Sequence, residues 1–297
     1  MTAPGNFLSF GRYMQQRYGE RVHKVSIDAS FTCPNRDGTR GVGGCTFCNN
    51  ASFSPAAGNL DAIDAQIERG KAVILKRTGA KKYLGYFQSY TNTYADVSAL
   101  KQLYDQALSV KDVIGLSIGT RPDCVPDAVL DLLLEYQNKG HEIWLELGLQ
   151  SAFDASLERV NRGHGFSEYV DACARARNRG LKVCTHFIVG LPGERASDSL
   201  LSVEKVLALG TDGIKVHPLH VVKGTQLGRE WKRGDYQTIT LAEYVKTVVG
   251  ILRMLPKDVV VHRLTGTASR EMLLGPLWCE KKWQVLNEIN RTFELTA

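Results

Sequence analysis

The chain has 297 residues, 43% of them hydrophobic, which suffices for one large α/β domain or one such domain with a small extension. With no run of about 18 apolar residues a membrane span is not expected, and Met1–Phe10 lacks the basic start and apolar core of a secretory signal, so the expectation is a cytoplasmic protein with no membrane partner. The net charge of +6 is mildly basic and permits a polyanionic partner without requiring one.

Residues 1–22 mix arginines with aromatic residues and predict a helix that covers one end of the fold. Lys24–Ala29 alternates in polarity and reads as the first strand. Apolar residues at helical spacing follow at Ile63, Ile67, Val73 and Ile74, then a strand at 83–87. A helix over 100–108, a strand at 113–118, a helix at 129–136 and a strand at 143–149 come next. Two helices near 155–160 and 169–179, a strand at 183–189, a helix at 200–209 and a strand at 214–219 continue the pattern. A helix over 241–255, a last strand at 259–264 and a helix near 281–295 complete it. Strands alternating with helices imply βαβ units and a parallel sheet. About six such units suit an incomplete α/β barrel, whose functional groups gather at the C-terminal ends of the strands. The segment 224–236 is the expected insertion.

The chemistry concentrates just after the first strand. Cys33, Cys45 and Cys48 stand at C-x11-C-x2-C spacing, with Pro34, Gly38, Gly41, Gly43 and Gly44 between them. The two-residue gap lets Cys45 and Cys48 reach one metal centre from a single turn, and glycine admits the positive φ values that a tight loop needs. Seven cysteines with three clustered suggest metal binding or catalysis rather than a disulfide framework. Three thiolates leave one iron of a [4Fe–4S] cluster open. A structural zinc site is normally closed by four ligands; here His23 lies ten residues upstream and the next cysteine is Cys124. An open zinc site, or three unrelated core cysteines, are the alternatives, and Phe47 beside the last cysteine favours iron–sulfur.

In these residues the chain resembles the radical SAM superfamily, in which three cysteines hold the cluster and S-adenosylmethionine takes the fourth iron. The usual spacing there is C-x3-C-x2-C. The longer gap is similar to the branch that contains the catalytic subunit of Elongator and the YhcC-like family, the latter over nearly the whole chain. The resemblance implies an incomplete (β/α)6 TIM-type radical SAM barrel at 23–223, a short N-terminal extension at 1–22 and an Elongator-like C-terminal extension at 224–297 packed on the barrel. It implies cluster ligation by Cys33, Cys45 and Cys48, with Phe47 beside the cofactor. It also implies reductive cleavage of S-adenosylmethionine to a 5′-deoxyadenosyl radical, fed by an electron donor such as flavodoxin or ferredoxin.

Further segments carry the resemblance. Gln88, Ser89 and Thr91 stand where the superfamily holds the methionyl amino group, with hydroxyls in place of the usual Gly-Gly-Glu. Gly119–Asp123 looks like the Glu-Thr-Arg-Pro-Asp segment of Elongator with glycine in place of the acid; Arg121 contacts cofactor or substrate, or pairs with Asp123. Glu146–Ser151 resembles E-x-G-x-Q-S, which lays Gln150 against the adenosyl portion. Glu146 sits in an apolar run, where an ionised carboxylate costs several kcal/mol unless partnered, so it has a site role or a structural hydrogen bond. Asn161–His164 matches N-R-G-H and assigns Arg162 to the methionyl carboxylate, with His164 structural. His186–Glu194 implies His186 toward the sugar and the backbone of Val189, Gly190 and Leu191 against adenine. Lys215 and His217, at a strand end facing the cluster, are the candidate proton donors or substrate contacts. Cys124, Cys173, Cys184 and Cys279 have no close pairing that favours an auxiliary cluster.

The Elongator-like run and the basic clusters at 69–82, 175–182 and 229–233 point to tRNA, modified at the wobble uridine. A small-molecule or peptide substrate, or a non-enzymatic metal-containing RNA-binding protein, are the other readings.

Overall fold

The computed structural model describes residues 7–52 and 61–295. Its first half runs β1 (Leu8–Ser9), α1 (Phe10–Tyr18), β2 (Val22–Ile27), α2 (Ile63–Thr78), β3 (Lys82–Phe87), α3 (Val97–Ser109), β4 (Val113–Thr120), α4 (Asp127–Asn138) and β5 (Glu142–Gln150). Its second half runs α5 (Asp154–Arg159), α6 (Phe166–Asn178), β6 (Lys182–Val189), α7 (Ala196–Ala208), β7 (Gly213–Pro218), β8 (Val221–Val222), α8 (Gln226–Arg233), α9 (Leu241–Met254), β9 (Val260–Arg263), β10 (Leu273–Gly275) and α10 (Lys282–Leu295).

One parallel sheet has the order β1-β9-β7-β6-β5-β4-β3-β2. β2 to β7 are the six strands of the expected incomplete barrel, and β9 with β1 widens it to eight. β2 and β1 are the open edges. The predicted last strand is therefore a sheet member that pairs β7 on one side and β1 on the other. The predicted N-terminal helix is α1, shortened at its start by β1; residues 1–6 lie outside the described residues. The antiparallel pair β8–β10 was not expected, because strands of two and three residues carry no period. Residues 224–236 hold α8, begun by Thr225, whose Oγ1 accepts from Gly228 N at 2.9 Å.

Period-two alternation sorts the strand residues onto two faces. Val25, Ile27, Phe87, Leu116, Leu145, Leu147, Val183 and Val216 face outward into the main apolar core under the helices. The inward face has two levels. At the strands' N-terminal ends Val22, Leu84, Trp144, Cys184 and Val260 pack with Met14 of α1, so α1 plugs that mouth of the barrel. Tyr13 meets Trp144 edge-on at 5.7 Å. Buried Glu142 fixes the plug: it accepts from Tyr18 Oη at 2.7 Å and Trp144 Nε1 at 2.8 Å and pairs with Lys182 at 2.7 Å. Above the plug the inward residues turn polar.

Between β4 and β5 the backbones approach too closely for a side chain. A Cβ on Gly115 would overlap the Glu142 carbonyl and peptide nitrogen, atoms that cannot rotate away. Gly115→Ala should cost on the order of 3 kcal/mol, read as a lowered urea midpoint with unchanged m-value.

Candidate functional site

The cysteine loop leaves β2 and is tied to the segment that follows α5. Asn35 Nδ2 donates to Asn161 O at 2.6 Å, Asn161 Nδ2 donates to Gly44 O at 2.8 Å, and Thr46 N donates to Val160 O at 3.0 Å. Cys33 O accepts from Arg36 N at 2.8 Å and Cys45 O from Cys48 N at 3.0 Å, so each end of the motif is a tight turn. A Cβ on Gly41 or Gly163 would strike the Asn35 amide; these glycines make room for the staple.

Cys33, Cys45 and Cys48 line one cavity at the C-terminal ends of the strands. Arg162 reaches over them, with Nη1 3.4 Å from Cys45 Sγ and Nη2 donating to Gly148 O at 2.6 Å. Burial, and then the neighbouring Cys45 sulfur, push the Cys48 thiol up to about 11, against the pull of Arg36 and Arg162. Four buried polar atoms of cavity-lining residues have no hydrogen-bond partner among the described residues: Asn50 Nδ2, Thr91 Oγ1, Arg162 Nε and His220 Nε2. Such atoms cost free energy unless something fills the site.

The donor set fits an iron–sulfur cluster. Three thiols with no fourth ligand leave one metal corner for another group. Among the described residues no three His, Cys, Asp or Glu side chains converge on a single-ion site, whereas tetrahedral zinc draws ligand sulfurs to within about 4 Å of one another.

Beneath the cavity lies Glu146, fully buried on β5. Its carboxylate pairs with Lys215 Nζ at 2.9 Å and with Lys24 Nζ. It also accepts from Ser117 Oγ and meets His186 Nε2 at 2.6 Å. Burial alone would raise this carboxyl, yet Lys215 and Lys24 hold it well below the usual carboxylate range. Lys215 also donates to Tyr86 Oη, and burial brings its ammonium down to about 8 although Glu146 opposes the shift. The surrounding imidazoles stay neutral. Burial, then Lys215, brings His186 to about 4; burial, then Lys24, brings His262 to about 3; burial, then Arg263, holds His217 well below its ordinary value.

Of the residues singled out from sequence, Phe47, Gln88, Thr91, Gln150, Arg162, His186, Lys215 and His217 line the same cavity as the three cysteines. Gln150 ends β5 with φ 81°, a left-handed conformation that costs a non-glycine residue about 1 kcal/mol or more. Ser89 is buried outside the lining. Glu146 lies under it and acts through Lys215 and His186. Val189, Gly190 and Leu191 line a separate depression with Tyr236, because Ile188 takes the inward position; Gly190 O accepts from Tyr236 Oη at 2.6 Å. Arg121 pairs with Asp123 at 2.8 Å and donates to Arg162 O at 2.7 Å. Cys124, Cys173, Cys184 and Cys279 are buried free thiols. Lys24, Tyr86, Asn50, His220 and Arg36 were missed; the lone lysine among the inward positions of the first strand was the available signal.

Comparison with known proteins gives two family matches: "Radical SAM superfamily" over residues 33–202 and "Radical_SAM C-terminal domain" over 211–294. Protein YhcC of Escherichia coli K12 is 50% identical over 282 residues, 95% of this chain and 90% of YhcC. YtqA of Bacillus subtilis is 38% identical over 95% of this chain and 88% of its own length. Among solved structures, the archaeal Methanocaldococcus infernus Elp3 with an N-terminal deletion is similar in fold, with TM-score 0.62 at 18% identity, covering 93% of this chain and 63% of that one.

Removing the carboxylate strands the buried Lys215 ammonium and takes the ion-pair partner of the half-buried Lys24, so Glu146→Gln should destabilise the chain by about 3–5 kcal/mol in urea unfolding at pH 7. The depressed imidazoles set a pH dependence. Below pH 6.5 the unfolded chain protonates histidines that the fold keeps neutral until about pH 4. Stability should fall as pH drops through that window by about 1.4 kcal/mol per pH unit for each such histidine. His186→Gln should flatten the slope of urea-derived stability between pH 6 and 4.5 by one such increment.

Proposed function

The chain belongs to the radical SAM superfamily, and on that premise we propose that Cys33, Cys45 and Cys48 hold one [4Fe–4S] cluster with S-adenosylmethionine beside it, and that the enzyme modifies tRNA at the wobble uridine. The observation that carries the cofactor reading is the convergence of three thiols and three unpartnered polar atoms, Asn50 Nδ2, Thr91 Oγ1 and Arg162 Nε, on one cavity. Cluster and cofactor, when bound, supply a 5′-deoxyadenosyl radical able to take hydrogen from an inert carbon.

The chain's own residues have separable tasks in this reading. Arg162 keeps Nε for a carboxylate while its other nitrogens hold Cys45 and Gly148. Thr91 Oγ1 is an acceptor for an ammonium. Phe47 and Ile188, packed with Leu191 and Leu219, make an apolar wall for a planar base. Lys215, its ammonium near 8, exchanges a proton close to neutral pH. His217, held neutral, accepts or donates a hydrogen bond without adding charge.

The tRNA reading is supported by the Elongator-like segments from Thr120 to Arg263 and by part of the basic surface. The arginines of α6 and its C-terminal cap are engaged by neighbours: Arg175 pairs with Asp127 and Asp171, Arg179 with Asp127 and Asp131, and Arg177 with Asp212. Lys76 and Arg77 at the end of α2, Lys81 just before β3, and Arg229 and Lys232 on α8 have no ion-pair partner among the described residues. They are the cations left to meet phosphates, at about one released counterion per contact.

The test is anaerobic reconstitution, dithionite reduction and addition of S-adenosylmethionine, with iron, zinc and 5′-deoxyadenosine measured together. About four irons per chain with 5′-deoxyadenosine formed is expected, and Cys33→Ala should lose both. Zinc without cleavage would overturn the cofactor reading. For the substrate, binding to tRNA should weaken steeply with salt, and Lys76→Gln with Arg77→Gln should reduce the salt slope by about two; salt-independent or absent binding would transfer the reading to a small molecule or peptide.

A further inference from the structure

The cavity carries an imbalance of charge that the cofactor reading leaves unused. Among the described residues no Asp or Glu lines it, while Arg36, Arg121, Arg162, Lys215 and Arg263 do. Arg121 is neutralised by Asp123. Arg162 Nη1 lies against Cys45 Sγ and Arg36 Nη2 donates to the Cys48 carbonyl, so both are engaged at the cysteine wall. Arg263 has neither kind of partner: among the described residues it makes no ion pair or side-chain hydrogen bond. Below it two ammonium groups, Lys24 and Lys215, share the single carboxylate of Glu146. Three cations against one anion leave two positive charges in a largely buried place, and buried charges are ordinarily paired.

The backbone sets this up. β7 and β9 pair Ile214 with Val261 and then Lys215 with Arg263, a shift of one residue. An even register would put His262 opposite Lys215 and turn Arg263 to the outer face. The shift lets two consecutive residues point inward, which is how a β-bulge re-aims a side chain. His262 goes down to Trp144, ring centroids 4.4 Å apart, and Arg263 comes up into the cavity beside Lys215. The following turn presses on two imidazoles: a Cβ on Gly266 would lie 2.6 Å from His217 Nδ1 and 3.1 Å from His220 Cε1. His220 in turn presents its unpartnered Nε2.

We propose that Arg263, with Lys215, His217 and His220, is an oxyanion subsite that receives a carboxylate or phosphate group of the substrate, on the β7–β9 side of the cavity and apart from the cysteine wall. The assignment rests on the reading of this cavity as the reaction site, and it adds a charge requirement to the substrate. A guanidinium offers two parallel N–H donors that match either oxyanion, an ammonium adds a point charge, and two neutral imidazoles add hydrogen bonds without repelling one another.

The test is thermal unfolding of the anaerobically reconstituted protein with acetate or uridine 5′-monophosphate as probe, at ionic strength held constant with chloride. The wild type should gain about 3 °C at saturation. Arg263→Gln should lose that gain, and Arg263→Lys, which keeps the charge but not the fork, should retain part of it. Arg291→Gln, which removes an exposed arginine paired with Glu288 on α10, should respond like the wild type and reports non-specific salt effects. A response to acetate assigns a carboxylate; a response to the nucleotide alone assigns a phosphate. Equal gains in wild type and Arg263→Gln, or no gain in the wild type with either probe, would overturn the subsite. Cleavage of S-adenosylmethionine by the wild-type protein, measured in parallel, reports on the cofactor reading alone, so the two can fail separately.

Discussion

The structure depends on one buried carboxylate. Glu146 on β5 gathers Lys24 from β2, Ser117 from β4, His186 from β6 and Lys215 from β7. Lys24 Nζ also reaches His262 Nδ1 of β9 at 2.9 Å. In the sheet order β2 and β9 are six strand steps apart, about 29 Å in a flat sheet at the usual interstrand spacing. Two side chains cannot bridge that distance. The ionic cluster therefore exists only if the sheet curls, and the curl is in turn held by the cost of leaving Lys24 and Lys215 unpaired. Apolar packing of the helices outside would accept a range of curvatures; the convergence of charged groups inside selects one.

The same cluster marks a level in the barrel interior. Below it Trp144 and Met14 are fully buried and pack with the rings of α1. Above it the inward positions are polar and open toward the cysteine loop. The histidines at this boundary stay neutral because burial and adjacent cations both disfavour the imidazolium. Neutral imidazoles fill space and hydrogen-bond without enlarging a positive surplus that Glu146 already fails to cancel.

What was legible in the sequence had a local cause. The cysteine spacing, the βα alternation and the anomaly of Glu146 in an apolar run each need only a few neighbouring residues, and each leads to an element or side chain that the fold uses. The unread parts arise from pairing across distance. Arg263 enters the cavity because β9 slips one residue against β7, and nothing in Val260–Arg263 taken alone announces the slip. The arginines at 175–179 read as a basic face until α6 lies beside α4, whose Asp127 and Asp131 neutralise Arg175 and Arg179, and Asp212 takes Arg177. Val189, Gly190 and Leu191 belong to a hydrophobic run with a turn, but strand parity gives the cavity to Ile188 and turns their neighbourhood toward Tyr236. Lys24 was readable by the reasoning that found Glu146, an isolated charge on the inward parity of a strand, and was hidden by the shortness of its run.

The cysteine loop shows where the fold spends its order. Small metal domains gain their structure from the metal, because the ligands are otherwise unorganised. Here the chain itself fixes the loop. Asn35 and Asn161 exchange side-chain hydrogen bonds with each other's segments, Thr46 bonds Val160, Leu227 N of α8 donates to Thr46 O at 2.9 Å, and Arg36 Nη2 donates to Cys48 O at 2.7 Å. At roughly 1 kcal/mol each, these contacts are comparable to the backbone entropy of several ordered residues. They bear on residues next to the thiols and leave the thiols facing the cavity. A cluster held by Cys33, Cys45 and Cys48, as proposed above, would then put its affinity into bonding rather than into folding the loop, and the loop would set where it sits relative to Arg162 and Thr91. That is the condition for a reactive group to meet a particular carbon, since a reactive centre displaced by about 1 Å loses much of its rate.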